Sequence, residues 1–348
     1  MTPDPGGPTL LWVGTGSYDG AGAGRIVPHA LDDLSAADAA DAGSLPSWMV
    51  LAPDGAHLYA VDENNSRVLA FAVAPDTGAL SPKGAVASGG AGPVHLAIDR
   101  TGRWLLVAHY TSGDVAVLPI QGDGSLGDTP SDVEATGAKS HQVVIDPTNR
   151  YVFVPCVGAN QVTQLVFDAE RGTLAPNTPA SVRSADGAGP RHLALHPDGR
   201  HAYVVDETGS TVTAYTYDAS HGTLTRGDSL TTLPAGFTDE NYGGEIAISA
   251  DGRFVYATNR GHDSIAVLAV APGTGALSAV DRTPTGGAFP RSFAIAPGGD
   301  RLIVANQNSS ALVSFAIDRT TGKLSAPSAP VATGAAAFFV GAFTIPAR

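Results

Sequence analysis

A pattern of the form Ala/Val-Ile/Leu-x-Pro-Asp-Gly-Arg recurs along this chain, each time followed by a β-branched segment and a polar turn. The proline position of this pattern is filled in turn by Pro53, Arg100, Pro147, Pro197, Ala250 and Pro297. The spacings are 47, 47, 50, 53 and 47 residues, a period typical of one propeller blade. We therefore predict an all-β propeller with four-stranded antiparallel blades.

The two ends of the chain complete this pattern. Six repeats are explicit, and an apolar segment without a full repeat is left at each end, at residues 10–14 and 338–345. We predict that these segments together close a seventh blade, because a ring closed by both termini has no open sheet edge. Blades of a radial repeat bury their faces against each other, so we expect one domain over residues 1–348.

Charge and composition narrow the classes of partner. The net charge is −13 and only three residues are lysines, so we expect no binding to nucleic acid or to a membrane surface. Cys156 is the only cysteine, which excludes an intramolecular disulfide and gives no support for a thiolate metal cluster. Residues 1–8 lack the basic and apolar regions of a signal peptide. We expect a cytoplasmic monomer.

One face of the disc carries the polar residues that do not repeat. Consecutive strands are antiparallel, so the start of the first strand and the end of the second lie at the same edge. Turns such as Asp198-Gly199 belong to the opposite face. Arginines, histidines and a carboxylate at one mouth of the channel suit a substrate that bears a carboxylate or phosphate and reacts by proton transfer. The residues expected to converge there are Arg191, Arg260, Arg291, His95, His141 and Glu245.

Several of these segments resemble the seven-bladed lactonase family, which includes propeller-type 6-phosphogluconolactonases and fungal 3-carboxy-cis,cis-muconate lactonizing enzymes. The resemblance covers nearly the whole chain. The segments that carry it are Gly92-Pro-Val-His95-Leu, Ser140-His141-Gln-Val-Val, Gly189-Pro-Arg191-His-Leu-Ala, Glu245-Ile-Ala-Ile-Ser and, most specifically, residues 257–267. The resemblance implies that the catalytic residues are His141, Glu245, Arg191 and Arg260.

The resemblance also implies a mechanism that uses neither a metal nor a cofactor. The arginines would hold the acidic group of the substrate and polarise the lactone carbonyl. His141 would activate water, and Glu245 would orient it or relay protons. We therefore expect a lactone hydrolase that acts on a small acidic molecule.

This chain departs from the family pattern at three positions. Lys139 stands where the family often has a second histidine, Cys156 where it has an acidic residue, and His109 where it has an asparagine. These differences leave the identity of the substrate open. The candidate substrate-binding residues are His95, Lys139, Arg291, His192 and His109.

The residues allow other interpretations of the site. His141 could be a hydrogen-bonded channel residue, and Arg191 and Arg260 could instead pair with Glu207 and tie blades together. Glu245 either pairs with an arginine or has a raised pKa suited to proton transfer. The run at residues 62–65 offers oxygen ligands for calcium. The histidines near the opposite turns are expected to be solvated: His57, His196, His201 and His221.

Two other functions fit the same pattern. One is an intramolecular cyclisation or isomerisation in which a carboxylate adds to an alkene. The other is a non-catalytic propeller that binds a protein or a small molecule through the polar face, because propellers often serve as scaffolds.

Overall fold

The computed structural model describes residues 8–20 and 22–346 of the chain. Its strands form seven four-stranded antiparallel sheets, which confirms the predicted seven-bladed propeller. The structure also contains a short 3-10 helix, Glu63–Asn65. In the described part of the chain, no helix is long and apolar enough to cross a membrane. The sequence predicted no signal peptide in residues 1–8. Residues 1–7 lie outside the described part of the chain.

Each blade has four strands, ordered from the channel to the rim. The innermost strands are β4 (Met49–Leu51), β8 (Pro93–Ile98), β12 (Val144–Ile145), β16 (Pro190–Leu195), β20 (Tyr242–Ile248), β24 (Pro290–Ile295) and β28 (Ala337–Thr344). The second strands are β1 (Thr9–Thr15), β5 (His57–Asp62), β9 (Trp104–His109), β13 (Tyr151–Cys156), β17 (His201–Asp206), β21 (Phe254–Arg260) and β25 (Arg301–Asn306).

The outer half of each blade is less regular. The third strands are β2 (Arg25–Ala30), β6 (Arg67–Val73), β10 (Asp114–Pro119), β14 (Gln161–Asp168), β18 (Thr211–Asp218), β22 (Ser264–Val270) and β26 (Ala311–Ala316). The rim strands are β3 (Ala40–Asp41), β7 (Leu80–Ala87), β11 (Asp132–Ala135), β15 (Thr173–Arg183), β19 (Thr223–Thr231), β23 (Leu277–Pro284) and β27 (Val331–Ala332).

The position of a strand in its blade follows from its hydrophobic pattern. The second strands are apolar on both faces, as in β13, where every residue is buried. Such strands lie between two neighbouring blades, and burial on both faces favours continuous β-branched and aromatic runs. A rim strand such as β7 is polar at most positions and largely exposed.

Both termini build the last blade. The C-terminal β28 is its innermost strand and pairs antiparallel with β1, from Thr9 opposite Thr344 to Thr15 opposite Ala337. The N-terminal strands β1, β2 and β3 supply the other three positions. The predicted closure by residues 10–14 and 338–345 is confirmed, with strand ends within about one residue of those expected.

Candidate active site

A cavity of about 260 Å³ opens on the face where inner strands begin and second strands end. Eight residues line it: Tyr18, Glu63, Val94, Tyr110, His141, Glu207, Arg260 and Arg291. His141, Arg260 and Arg291 were expected there from strand polarity, and the family resemblance also implied His141 and Arg260. Arg191 and Glu245 lie directly behind the lining, with 2% and 6% of their surface exposed.

Bulges at the start of the inner strands position two of the arginines. In β16, Pro190 pairs with Asp206 and His192 with Val205, so Arg191 is an extra residue without a partner in the ladder. Arg291 is the extra residue at the equivalent place in β24. A bulge bends the strand and redirects a side chain. The two guanidinium groups are thereby turned toward the channel mouth instead of between the blades.

Glu207 joins Arg191 and Arg260. Its Oε2 lies 3.2 Å from Arg191 Nε and 3.0 Å from Arg260 Nη2. The arginines also donate to the carbonyls of Gly244 and Gly243, both at 2.6 Å. This is the ion pairing that the sequence left open as an alternative for both arginines.

The charges in this cluster shift one another. Burial, together with the charges of Arg260 and Arg291, lowers the pKa of Arg191 to about 9. Burial raises the pKa of Glu207, but the charges of Arg191 and Arg260 outweigh burial and the pKa is lowered overall. Glu207 therefore stays ionised at neutral pH and holds two of the three arginines.

Arg291 is the arginine that remains available to an anion. It is 8% exposed and its guanidinium lies over the rings of Tyr18 and Phe338, at 5.6 and 5.5 Å. The ion pairs among the described residues do not include it, whereas Arg191 and Arg260 share Glu207. A buried guanidinium without a carboxylate partner is a natural binding group for a phosphate or carboxylate.

A chain of hydrogen bonds runs from the cavity into the interior. His141 Nδ1 lies 3.1 Å from His192 Nε2, and His192 Nδ1 lies 2.7 Å from Glu245 Oε1. The backbone N–H of Ile246 donates to the same Glu245 oxygen at 3.1 Å. His192 is 1% exposed, so His141 is the member of this chain that reaches the cavity.

The environment keeps both histidines neutral. Burial lowers the pKa of His141 and of His192 well below the usual value, and the charge of Arg191 lowers both further. Burial raises the pKa of Glu245, although the charge of Arg191 opposes this shift. A neutral His141 has one unprotonated ring nitrogen and can accept a proton at neutral pH.

Two further candidate residues lie at the edges of this site. The His95 ring is buried and stacks on Trp48 with centroids 4.0 Å apart, behind the cavity lining. Its edge contact with the ring of His192, at 5.6 Å, makes it part of the packing that holds the histidine chain. Lys139 is exposed at the rim, where its Nζ lies 5.6 Å from the ring centroid of Tyr110.

The structure does not bring His109 to the cavity. Its side chain is fully buried inside a blade, with Nδ1 2.8 Å from Asp114 Oδ1 of the third strand. Cys156, another departure from the family pattern, is likewise buried beside Ser140 and Thr163. Successive strand residues point to opposite faces. At the end of β9 the cavity therefore receives Tyr110, the residue after His109.

The same alternation explains how Arg260, which the sequence predicted at the site, reaches the cavity, and why Glu63 and Glu207, which were not among the predicted substrate-binding residues, also line it. Asp62, Asp206 and Asn259 are fully buried like His109, while the residues that follow them line the cavity. Those following residues are Glu63, Glu207 and Arg260. Aligning the repeats at the end of the second strand and counting one residue past the buried position would have identified Glu63 and Glu207 as well. Tyr18 follows β1, whose repeat is divided between the termini, and no repeat pattern marks it.

The oxygen-rich run at residues 62–65 is occupied by protein contacts. The Asp62 carboxylate accepts from Arg67 Nη2 at 2.8 Å and from the Asn65 amide, and Glu63 accepts from Ser47 Oγ at 2.6 Å. Calcium prefers several oxygens that converge on one point. These carboxylates instead point to separate partners, which does not favour calcium binding here.

Within residues 8–20 and 22–346, one set of metal-type ligands converges, and it lies on the opposite face: His196, Asp198 and His201. Its hydrogen bonds are those of a tight hairpin turn. The Asp198 backbone donates to His196 Nδ1 at 3.1 Å, and His201 Nδ1 donates to the Asp198 carboxylate at 2.7 Å. The side chains of His196 and His201 are each 11% exposed, so the expectation that they are solvated was wrong. His221, at 75%, is solvated as expected.

Comparisons with known proteins agree with the architecture. A family model described as "Lactonase, 7-bladed beta-propeller" matches residues 11–340. A 6-phosphogluconolactonase of Pectobacterium carotovorum is 34% identical over 79% of this chain and 82% of its own. One of Bacillus subtilis is 32% identical over 80% and 82%. The structure of a periplasmic gluconolactonase of Pseudomonas aeruginosa superposes with a TM-score of 0.88 at 32% identity, covering 97% of this chain and 99% of that one.

Proposed function

Because this chain belongs to the seven-bladed β-propeller lactonase family, we propose that it hydrolyses the lactone of an acidic sugar derivative, with 6-phosphogluconolactone as the leading substrate. The observation that carries the proposal is the cavity itself. His141, whose pKa burial holds well below its usual value, shares the lining of this cavity with Arg260 and Arg291. A base and an anion clamp are the two elements that hydrolysis of an acidic lactone requires.

Arg291 binds the acidic group of the substrate. Its guanidinium forms no ion pair with a described carboxylate, although its charge acts on Glu63 in the same cavity, and it lies largely out of bulk water. Charge-assisted hydrogen bonds from a guanidinium to a phosphate are short and strong. Lys139 at the rim adds a second positive charge on the approach to the cavity.

Arg260 stabilises the charge that develops on the lactone carbonyl. It lines the cavity, and Glu207 together with the Gly243 carbonyl holds its guanidinium in place. A donor fixed in advance of the reaction does not need to reorganise as the oxyanion forms. Arg191 pairs with the same Glu207 behind the cavity lining. It makes the electrostatic potential in the cavity more positive without contacting the substrate.

His141 activates the attacking water. Its Nδ1 is engaged by His192, and its Nε2 makes no hydrogen bond to another described residue. Nε2 can therefore accept a proton from water at the cavity surface. After attack on the carbonyl carbon, the same nitrogen returns the proton to the ring oxygen as the C–O bond breaks, which gives the open hydroxy acid.

Hydrolysis assays on the purified protein test this proposal. We expect acceleration of 6-phosphogluconolactone hydrolysis above the spontaneous rate, with a higher KM for unphosphorylated gluconolactone. Arg291→Ala should raise KM for the phosphorylated lactone at least 10-fold and change KM for the unphosphorylated one little. Arg253→Ala is the matched control, because it removes one positive charge on the opposite face, where Arg253 pairs with Asp251. Absence of acceleration with either lactone would overturn the proposed function.

A further inference from the structure

The hydrogen bonds around Glu245 set the proton positions along the histidine chain. Glu245 Oε1 accepts from the Ile246 backbone and lies 2.7 Å from His192 Nδ1. With Glu245 ionised in the resting protein, its carboxylate can only accept, so His192 Nδ1 carries the hydrogen and its Nε2 holds a lone pair. His141 Nδ1 then donates to that lone pair at 3.1 Å. In the resting protein the unprotonated nitrogen of His141 is consequently Nε2.

The surrounding charges decide where an added proton is most stable. Arg191, Arg260 and Arg291 all disfavour a positive charge on His141, and burial disfavours it further. A proton on Glu245 removes a buried negative charge, which burial favours. This effect outweighs the opposing charges of Arg191 and Arg291, so the pKa of Glu245 is raised overall. Two other carboxylates line this cavity. Glu207 is held ionised by two arginines, and Glu63 accepts from Ser47 and has no contact with the histidine chain in the described hydrogen bonds. His95 meets the ring of His192 edge-on, and burial lowers the pKa of His95 well below its usual value, which disfavours an added proton there.

We propose that His141, His192 and Glu245 form a proton relay in which Glu245, rather than His141, stores the proton taken from water. The relay rests on the lactonase function proposed above. Its geometric basis is the unbroken set of contacts from His141 through His192 to Glu245, at 3.1 and 2.7 Å. It differs from the arrangement in which a carboxylate only orients a histidine that itself becomes charged.

Each step of the relay balances. A water O–H bond breaks as the water oxygen bonds to the lactone carbonyl carbon, and the proton moves to His141 Nε2. The proton on His141 Nδ1 moves to His192 Nε2, and the proton on His192 Nδ1 moves to Glu245 Oε1. Both imidazoles remain neutral throughout. When the ring C–O bond breaks, the three transfers reverse, and His141 Nε2–H protonates the departing oxygen.

The first test reads the tautomers without any substrate. Nitrogen-15 NMR of histidine-labelled protein distinguishes protonated from unprotonated ring nitrogens. We expect His141 and His192 to be neutral at pH 7, each with hydrogen on Nδ1 and a bare Nε2. A charged His141, or one with hydrogen on Nε2, would overturn the relay. Because no substrate is needed, this result is independent of the proposed function.

The second test separates storage of the proton from orientation of the ring. In Glu245→Gln, the amide oxygen can still accept from Ile246 and His192, but the side chain cannot take up a proton. We expect unchanged tautomers and a kcat about 100-fold lower at similar KM, the usual size of a lost acid/base contribution. Near-parental kcat with unchanged tautomers would show that Glu245 only orients His192, which would overturn the relay.

A second variant and a control complete the design. His192→Phe keeps an aromatic ring against Trp48, 5.3 Å away in the parent, but it interrupts the chain. We expect a similar loss of kcat, and parental kcat would overturn the relay. The control is His29→Gln, which removes a buried histidine whose Nδ1 contacts the Leu34 carbonyl at 2.8 Å, far from the cavity. It should keep parental kcat. A parent protein inactive on every lactone would contradict the proposed function, while the resting tautomers would still decide the relay.

Discussion

Neighbouring residues at the end of each second strand have different tasks. The first, such as Asp206 or Asn259, is fully buried and hydrogen-bonds to the third strand of its blade, at Thr213 or Ser264. The second, such as Glu207 or Arg260, lines the cavity. The alternation of a β-strand therefore separates blade stability from chemistry at adjacent positions. His109 and Cys156, at which this chain departs from the family pattern, both occupy the buried position inside a blade.

His141→Ala should lower turnover by about 100-fold or more, because it removes the group that exchanges a proton with water. The ring is at the cavity surface and has one hydrogen-bond partner, His192, so the fold should persist. Steady-state kinetics on the active lactone and a thermal melt measure both effects. Near-parental turnover in a folded variant would contradict the acid/base assignment.

Arg191→Ala should weaken binding of an acidic substrate and also destabilise the fold. Its removal leaves buried Glu207 with Arg260 as its remaining partner. Breaking a buried ion pair costs about 3 kcal/mol of unfolding free energy. Chemical denaturation gives this value directly. The control is Arg171→Ala, in which an exposed pair with Asp168 is lost and a change of about 0.5 kcal/mol or less is expected. Equal stability of the two variants would rule out a structural role for Arg191.

Chelators should leave the activity of the protein unchanged. The oxygens of Asp62 and Glu63 are engaged by Arg67, Asn65 and Ser47, and the proposed chemistry needs only a base and arginines. Assays with and without EDTA, followed by addition of calcium, measure this. Activity that is lost with EDTA and restored by calcium would replace the proposed mechanism with a metal-dependent one.

At the scale of the strand, the ring depends on close approaches between segments. Gly14 in β1 passes the loop before β4 so closely that a Cβ built on it would lie 2.1 Å from the Pro46 carbonyl oxygen. Real side chains do not make such a contact with backbone, so one of the segments would have to move. The bulges at Arg191 and Arg291 are a second feature at this scale. Each leaves one residue without a partner on the neighbouring strand, which changes the direction of its side chain.

Gly14→Ala should destabilise the protein by about 1–3 kcal/mol, the usual range for overpacking. Gly122→Ala is the matched control, because a Cβ at Gly122 meets nothing within 4 Å. The control should change stability by about 0.5 kcal/mol or less. Thermal and urea melts of the two variants provide the comparison. A Gly14→Ala protein as stable as the control would mean that the loop at Pro46 can shift without loss of stability.

At the scale of the whole molecule, β28 holds the ring closed. It pairs with β1 and contributes Phe338, Phe339 and Val340, each 2–3% exposed, to the interior. Burying side chains of this size stabilises a protein by about 1.5–3 kcal/mol each. Their sum is comparable to the whole stability of a typical domain, about 5–15 kcal/mol.

A chain that ends at residue 336 should therefore fail to fold cooperatively. A chain that ends at residue 346 keeps every described contact of β28 and should melt like the parent. Circular dichroism melts and gel filtration of the two truncated proteins show the difference. A cooperative, monodisperse protein ending at residue 336 would mean that six blades and three strands suffice.

The sequence by itself determined the blade count, the closure by both termini and the face that carries the polar residues. These follow from local rules: turn chemistry repeats, β-branched runs form buried strands, and antiparallel order assigns strand ends to faces. The segments at residues 10–14 and 338–345 were identified because each lacked a complete repeat. His141, Arg260 and Arg291 were placed at one mouth on the same grounds.

Only the tertiary structure decided which side chains meet. That His192 lies between His141 and Glu245, and that Glu207 takes Arg191 and Arg260 but not Arg291, depends on distances across three or more blades. A one-residue bulge changes the direction of a side chain without changing the hydrophobic pattern. Strand alternation has a similar effect at His109, which lies at the expected edge of its blade while its side chain points into the blade. Periodicity fixes the edge at which a residue lies, whereas packing of the closed ring fixes its partners.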